Sequence, residues 1–248
     1  MMFFQDPSLL EFQRRIQDRK QFSNLSNVFQ VQSVPKDSQM RDNLDQLPTK
    51  QLDPIFSDWL GRLQRGKHLE SYTFLDRYYL VPIDGSQYFS SKSIHCSGCL
   101  RANSKNGARY YHQILLIPKN KITYRNSWVT DIPVDEHNVV DLVKGGRSRW
   151  KIENETFNTL KNQGYHIEHN YGHGSRYLSM NFFVLNLLAF YMHQIFELTD
   201  RLYQRCRLKT SSRKAYFSLL RYTFQILLFR DWRHFLNFIH APPDIYAP

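Results

Sequence analysis

Hydrophobic and polar positions change rhythm near residue 71. Before it the chain is mostly polar, with short apolar-periodic pieces, Leu9-Leu10-x-Phe12 and Pro54-Ile55-Phe56-x-x-Trp59-Leu60, set apart by Pro35, Pro48 and Pro54. Apolar residues three and four apart predict helices, and the prolines punctuate them, so residues 1–71 are expected to form a small helical module. Beyond it, Tyr78-Tyr79-Leu80-Val81-Pro82-Ile83 is aromatic and β-branched up to Asp84-Gly85, and Ser90 to His95 and Ala108 to Ile117 follow. Such runs predict strands of one sheet, with Arg101 to Gly107, rich in Asn, Ser, Lys and Gly, as a hairpin tip. A further strand is expected over Lys121 to Thr130, and then a helix that starts near Asp135-Glu136 and runs through Val139-Val140-x-Leu142-Val143. The rest reads as helical, which makes residues 72–248 a mixed α/β domain with C-terminal helices.

One stretch passes as a membrane span by length, since Tyr177 to Phe196 has no Lys, Arg, Asp or Glu. Asn181, Asn186, His193 and Gln194 recur along it, which suits a helix buried in a large soluble domain better than one facing lipid. No membrane partner is therefore expected. Met1-Met2-Phe3-Phe4 is broken at once by Asp6 and Pro7, so it lacks a signal-peptide core, and three cysteines are too few for a disulfide scaffold. A reducing cytoplasm is the expected compartment.

Charge narrows the partners. Lys and Arg number 33 against 22 Asp and Glu, a formal net charge of +11, which favours polyanions. DNA, RNA and an anionic membrane all remain open on charge alone. The terminal third alternates basic residues with aromatics, as in Arg213-Lys214-x-Tyr216-Phe217 and Phe229-Arg230-Asp231-Trp232-Arg233-His234-Phe235. That pattern fits an amphipathic helix pair with a solvated basic face, or a dedicated DNA surface.

Several residues could carry chemistry. Asp84 stands where an apolar strand meets Gly85, a rigid position for a metal ligand and also an ordinary turn. In Arg149-Trp150-Lys151-Ile152-Glu153-Asn154-Glu155-x-Phe157-x-x-Leu160-Lys161, Arg149, Glu153 and Phe157 are spaced by four, which on an α-helix puts a carboxylate at the margin of a core. Cys96-x-x-Cys99 with His95 and His112 has half the spacing of a zinc site, and reads first as a structural thiol pair. His166, His169 and His173 gather near Glu168, a second arrangement open to a metal.

These residues resemble a known family. Arg149-Trp150-x-Ile152-Glu153-Asn154, Leu160-Lys161 and Gly164-Tyr165-x-x-Glu168-His169-Asn170-Tyr171-Gly172-His173-Gly174 resemble the catalytic-glutamate region of bacterial DDE-type insertion-sequence transposases. Val34-Pro35-x-Asp37-Ser38-Gln39-Met40-Arg41, Leu63-Gln64-Arg65-Gly66-Lys67 and Asp84-Gly85-Ser86-Gln87-Tyr88-Phe89-Ser90-Ser91 look like the family's N-terminal module and first catalytic strand. The resemblance implies a ribonuclease H-like core in which two Asp and one Glu hold two divalent ions, Mg²⁺ or Mn²⁺, for phosphodiester hydrolysis and strand transfer. Asp84 matches the first Asp and Glu153 the Glu. Arg149, Lys161 and His173 match phosphate-contacting positions, His173 within a Gly-rich turn closing over the site or the DNA backbone. The expected partner is double-stranded DNA, at element ends and target, bound by a homodimer.

The departures shape the expectation. Ile114-Leu115-Leu116-Ile117-Pro118 runs almost directly into Tyr124-Arg125-Asn126-Ser127-Trp128-Val129-Thr130, so the family's intervening stretch, with its second Asp, is missing. Asp131, Asp135 and Asp141 are the nearest replacements. The family's Tyr and Lys would fall at Gly146 and Leu160, with Lys161 one residue late. The expected core thus has a truncated central sheet. An active enzyme, a DNA-binding remnant and an unfolded product are the three outcomes to separate.

Overall fold

Side-chain caps start four of the described helices. Ser8, Asp200, Ser212 and Asp231 each accept backbone N–H groups at helix starts, as Asp200 Oδ1 does from Leu202 at 2.8 Å and Tyr203 at 3.1 Å. In the computed structural model, residues 1–75, 78–79, 85–93, 99–104, 107–115, 134–148, 152–169 and 171–243 are described. Helices α1 (Leu9–Ile16), α2 (Arg19–Phe29), α3 (Asp37–Gln46) and α4 (Asp53–Arg65) precede five short strands, β1 (Thr73–Phe74), β2 (Tyr78–Tyr79), β3 (Gly85–Ser91), β4 (Leu100–Ser104) and β5 (Gly107–Leu115). Then come α5 (Val139–Arg147), a π-helical turn (Ile152–Phe157), α6 (Asn158–Asn162), α7 (Leu178–Thr199), α8 (Arg201–Leu208), α9 (Arg213–Ile226) and α10 (Trp232–His240). The chain is mixed but mostly helical, with a small antiparallel sheet.

Two compact units divide it, and the division does not fall at residue 71: Met1–Phe56 goes with Asn162–Pro248, and Ser57–Lys161 forms the second unit. In the second unit β3, β5 and β4 lie in that order, all antiparallel, and among the described residues β1 pairs with β2 alone. The hairpin is tighter than expected, because Leu100–Ser104 is a strand and Ser104 already pairs with Gly107, whose φ of 101° supplies the turn. The helix expected after Pro133 begins at Val139, led by a turn in which Asp135 Oδ1 accepts the N–H groups of His137 and Asn138, both at 2.9 Å. The strand expected over Lys121 to Thr130 lies outside the described residues, as do residues 80–84.

The first unit is built around aromatic side chains from both ends of the chain. Phe4, at the end of the short turn Met2–Phe4, meets Phe224 of α9 at 4.7 Å between centroids and Phe29 of α2 at 5.6 Å, edge to face. Phe235 of α10 closes the cluster against Phe224 and Phe229. Arg221 of α9 anchors the N-terminal turn by donating to the carbonyls of Phe4 and Gln5 at 2.7 and 2.6 Å. Asp6 and Arg15 form a buried pair at 2.8 Å, whose burial pushes the carboxyl up and the guanidinium down from their usual ranges.

Among the described residues α7 alone is long and apolar enough to cross a membrane. Its buried polar residues, Asn181, Asn186 and His193, are used. Asn181 Nδ2 donates to the carbonyls of Leu44 and Leu47 at 2.6 and 2.7 Å, Asn186 Nδ2 to that of Tyr165 at 2.7 Å, and His193 Nδ1 meets the Tyr165 hydroxyl at 2.7 Å. A helix whose polar groups tie down neighbouring chain in this way is the central helix of a helical unit.

Asn24 is the clearest single test of the packing. Fully buried on α2, it donates to the carbonyls of Phe224 and Leu227 at 2.7 and 2.6 Å and accepts from the Phe229 amide at 2.8 Å, so it holds the end of α9 and the loop to α10. Asn24→Ala strands three backbone groups and is expected to cost about 3 kcal/mol, against less than about 1 kcal/mol for Asn27→Ala, whose one bond to Phe229 is near solvent. Urea denaturation of the two variants checks this, and equal losses would rule it out.

Candidate functional site

The residues matched to transposase positions fall in both units. Asp84 and Arg149 lie outside the described residues; Asp84 directly precedes β3, whose first residue, Gly85, pairs with Leu115. Glu153 is the second residue of the π turn, and its side chain is likewise outside the described set. The spacing argument made from sequence changes here. In a π turn the backbone bonds run from i to i+5, so the four-residue period of an α-helix does not hold over Ile152–Phe157. Lys161, half-buried, follows Leu160, which is 2% exposed, on α6.

Metal ligation can be tested against the donors present. Among the described residues no three His, Cys, Asp or Glu side chains gather as a metal site would require. Of the possible replacements for a second Asp, Asp131 is outside the described residues, Asp135 is engaged in its own turn, and Asp141 pairs with Lys144 at 3.1 Å one turn along α5. Asp135 and Asp141 therefore have local partners. Cys99 is half-buried, while Cys96 and His95 are outside the described residues. His166, Glu168 and His169 are exposed, and the His169 ring packs edge-on to Tyr171 at 4.6 Å.

The Gly-rich segment is the best-defined part of the matched region, and it lies in the first unit. Tyr165 is fully buried between α7 and α9, with its ring 5.3 Å from Phe217 and its hydroxyl on His193. Burial holds the imidazole down at a pKa of about 3, so it is neutral, and its Nδ1 shares a hydrogen bond with the Tyr165 hydroxyl. Tyr171 stacks on Phe182 at 5.4 Å, and its carbonyl takes a bond from the Arg41 guanidinium. Gly172 and Gly174 have φ of 125° and 63°, and a Cβ on Gly174 would come within 2.4 Å of Asp45 Oδ1. His173 sits half-buried between these glycines.

The amides beyond this turn bind a carboxylate of the chain itself. Asp45 of α3 accepts from the backbone N–H of Ser175 at 2.8 Å, Arg176 at 2.9 Å, and Tyr177 and Leu178 at 3.0 Å. At the N-terminus of α7 these amides are thus taken by the chain's own carboxylate. Sequence reasoning singled out the glycines and His173 but missed Asp45, because its cap lies 130 residues away and leaves no local pattern.

Burial alone would raise the Asp45 pKa, but the four backbone donors outweigh it and hold the carboxyl below its ordinary value. A depressed carboxylate contributes stability above its unfolded pKa and loses it as pH falls through the folded pKa. Asp45→Asn is therefore expected to cost about 1 kcal/mol at pH 7, and the gap from wild type to narrow as pH drops below about 4. Urea midpoints measured across that range test it; a gap unchanged by pH would refute the assignment.

No family model, curated protein or solved structure matches the chain.

Proposed function

We propose that this chain is a shortened DDE-type insertion-sequence transposase that keeps DNA binding and lacks a complete catalytic set. The observation that carries the reading is the run from Arg149 to Gly174, which holds the glutamate, the following Leu-Lys and the Gly-rich turn in family order. Two features support it. Glu153 falls in a single π turn, a distortion often found where a helix carries function. The net charge of +11 suits a phosphodiester partner.

In an intact site Asp84 and Glu153 would hold Mg²⁺ or Mn²⁺, and the ions would activate water and stabilise the leaving oxygen of a phosphodiester. Two carboxylates hold an ion pair poorly, and the stretch that supplies the second Asp in the family is missing between Pro118 and Tyr124. Arg149, Lys161 and His173 ask less of their surroundings, since phosphate contacts tolerate small shifts that metal ligation does not. The ribonuclease H-like ancestry of the sheet, a homodimer on DNA and a place in the bacterial cytoplasm at the nucleoid belong to the same proposal. So does interference with an intact copy by occupation of element ends.

The test uses purified full-length chain and a labelled duplex ending in the element's inverted repeat, with Mg²⁺ or Mn²⁺. Salt-sensitive binding without nicking is expected. Nicking that both Asp84→Ala and Glu153→Ala abolish would make the chain an active enzyme with a recruited third ligand. Absence of binding at low salt would remove the DNA reading altogether.

A further inference from the structure

From Asp200 to Pro243 the chain carries nine Lys and Arg and only two carboxylates. Four of the nine are used inside the unit. Arg213 makes a two-pronged pair with Glu197, Arg207 approaches the same carboxylate at 4.0 Å, Arg221 holds the carbonyls of Phe4 and Gln5, and Lys209 reaches the carbonyl of His240. The other five, Arg201, Arg205, Lys214, Arg230 and Arg233, are exposed, and among the described residues none pairs with a carboxylate. Both aspartates, meanwhile, are committed to backbone amides as caps, Asp200 at α8 and Asp231 at α10, the latter on His234 at 2.8 Å.

Helices α8 and α10 lie against one another. The Cys206 thiol donates to the Leu236 carbonyl at 3.2 Å, and the Lys209 ammonium donates to that of His240. Partners thus advance together along both helices, which run side by side in the same direction. Tyr203 and Cys206 point α8 into the unit, and Phe235, Leu236 and Ile239 do the same for α10. Their outer faces carry Arg201, Arg205 and Lys209 at four-residue intervals, about 6 Å per step, and Arg233 alongside.

We propose that this outer face of α8 and α10 docks on the phosphate backbone of duplex DNA, with Arg201, Arg205 and Arg233 as its contacts. This rests on the DNA-binding reading above and gives it a surface that the family resemblance did not point to. Charge of one sign along two helices, with carboxylates withdrawn into caps, favours a polyanion over a protein partner of mixed charge. A lipid surface would need apolar residues interleaved with the basic ones, and Leu208 is the one large apolar side chain exposed on this face of α8. Guanidinium groups spaced along helices suit phosphates, which fix position and carry no sequence.

The experiment measures binding of the full chain to a short labelled duplex of arbitrary sequence across a salt series. The Arg201→Gln/Arg205→Gln/Arg233→Gln variant is compared with Arg62→Gln/Lys144→Gln, which removes the same kind of charge from the other unit. All five side chains are exposed or at the surface, and circular dichroism melts confirm that each variant folds. The expected result is a loss of at least tenfold for the triple variant near 0.1 M salt, with a log–log salt slope shallower by about 3, and near-wild-type binding by the control. A triple variant that binds like wild type overturns the surface and leaves the DNA reading standing. A wild-type chain that ignores the duplex at low salt overturns both, and arginine-dependent binding to phosphatidylserine vesicles in its place would assign the face to a lipid.

Discussion

The helical unit depends on one constraint: α7 carries amide and imidazole groups into an aromatic interior, where each must find a partner. Asn186 meets it in both directions, donating to the Tyr165 carbonyl and lying 3.3 Å from Gln5 Nε2, which donates to its oxygen. The N-terminal turn and the segment after α6 are therefore fixed by the same side chain. His193 repeats the device two turns further along the same face, with Tyr165 on one side and Phe3 at 4.7 Å on the other. Apolar contact alone would let these segments slide over α7. Buried hydrogen bonds, each costly to leave unmade, allow one arrangement.

Much of this was readable in residues and some was not, for physical reasons. Tyr177 to Phe196 announces a buried helix because Asn181, Asn186 and His193 interrupt an otherwise apolar run, and these are the residues that bond. Asp135 marks its helix start through a local turn that sequence displays directly. Arg101 to Ser104, by contrast, has loop-like composition and becomes a strand because β5 supplies the partner. The core role of Phe3 and Phe4 leaves no local trace, since their partners lie near residues 193–235, and neither does the π turn, which uses the same residue types as an α-helix. Spacing by four is an α-helical rule, and it does not hold over Ile152–Phe157, where the chain takes a π turn.

Charge in the unit separates into two kinds of use. Where a charged group has a structural task, it is given partners of high geometric quality: Arg213 on Glu197, Arg221 on two carbonyls, Asp45 on four amides. Between Asp200 and Pro243 the charged groups without such a task are exposed and basic. Alternation of Arg with Phe and Tyr in the terminal third thus mixes two patterns, aromatics and selected arginines that build the interior and a remainder that sets the field outside. Composition alone cannot sort these, because an arginine bound to a carbonyl and one facing solvent look alike in sequence.

On the proposal of a shortened transposase, this division bears on what such a copy would keep. The aromatic core joins residues 1–56 to residues 162–248, and the family's intervening stretch would stand after Pro118, in neither segment. Its loss would remove none of the contacts from Phe4 to Phe224 and Phe235, or from Asn24 to the end of α9. A two-metal centre would have the opposite dependence, since its proposed ligands, Asp84 and Glu153, belong to the second unit and it needs every carboxylate. Binding and cleavage would therefore respond differently to the same deletion: the basic face of α8 and α10 rests on a core made elsewhere, while the proposed chemistry would rest on the second unit.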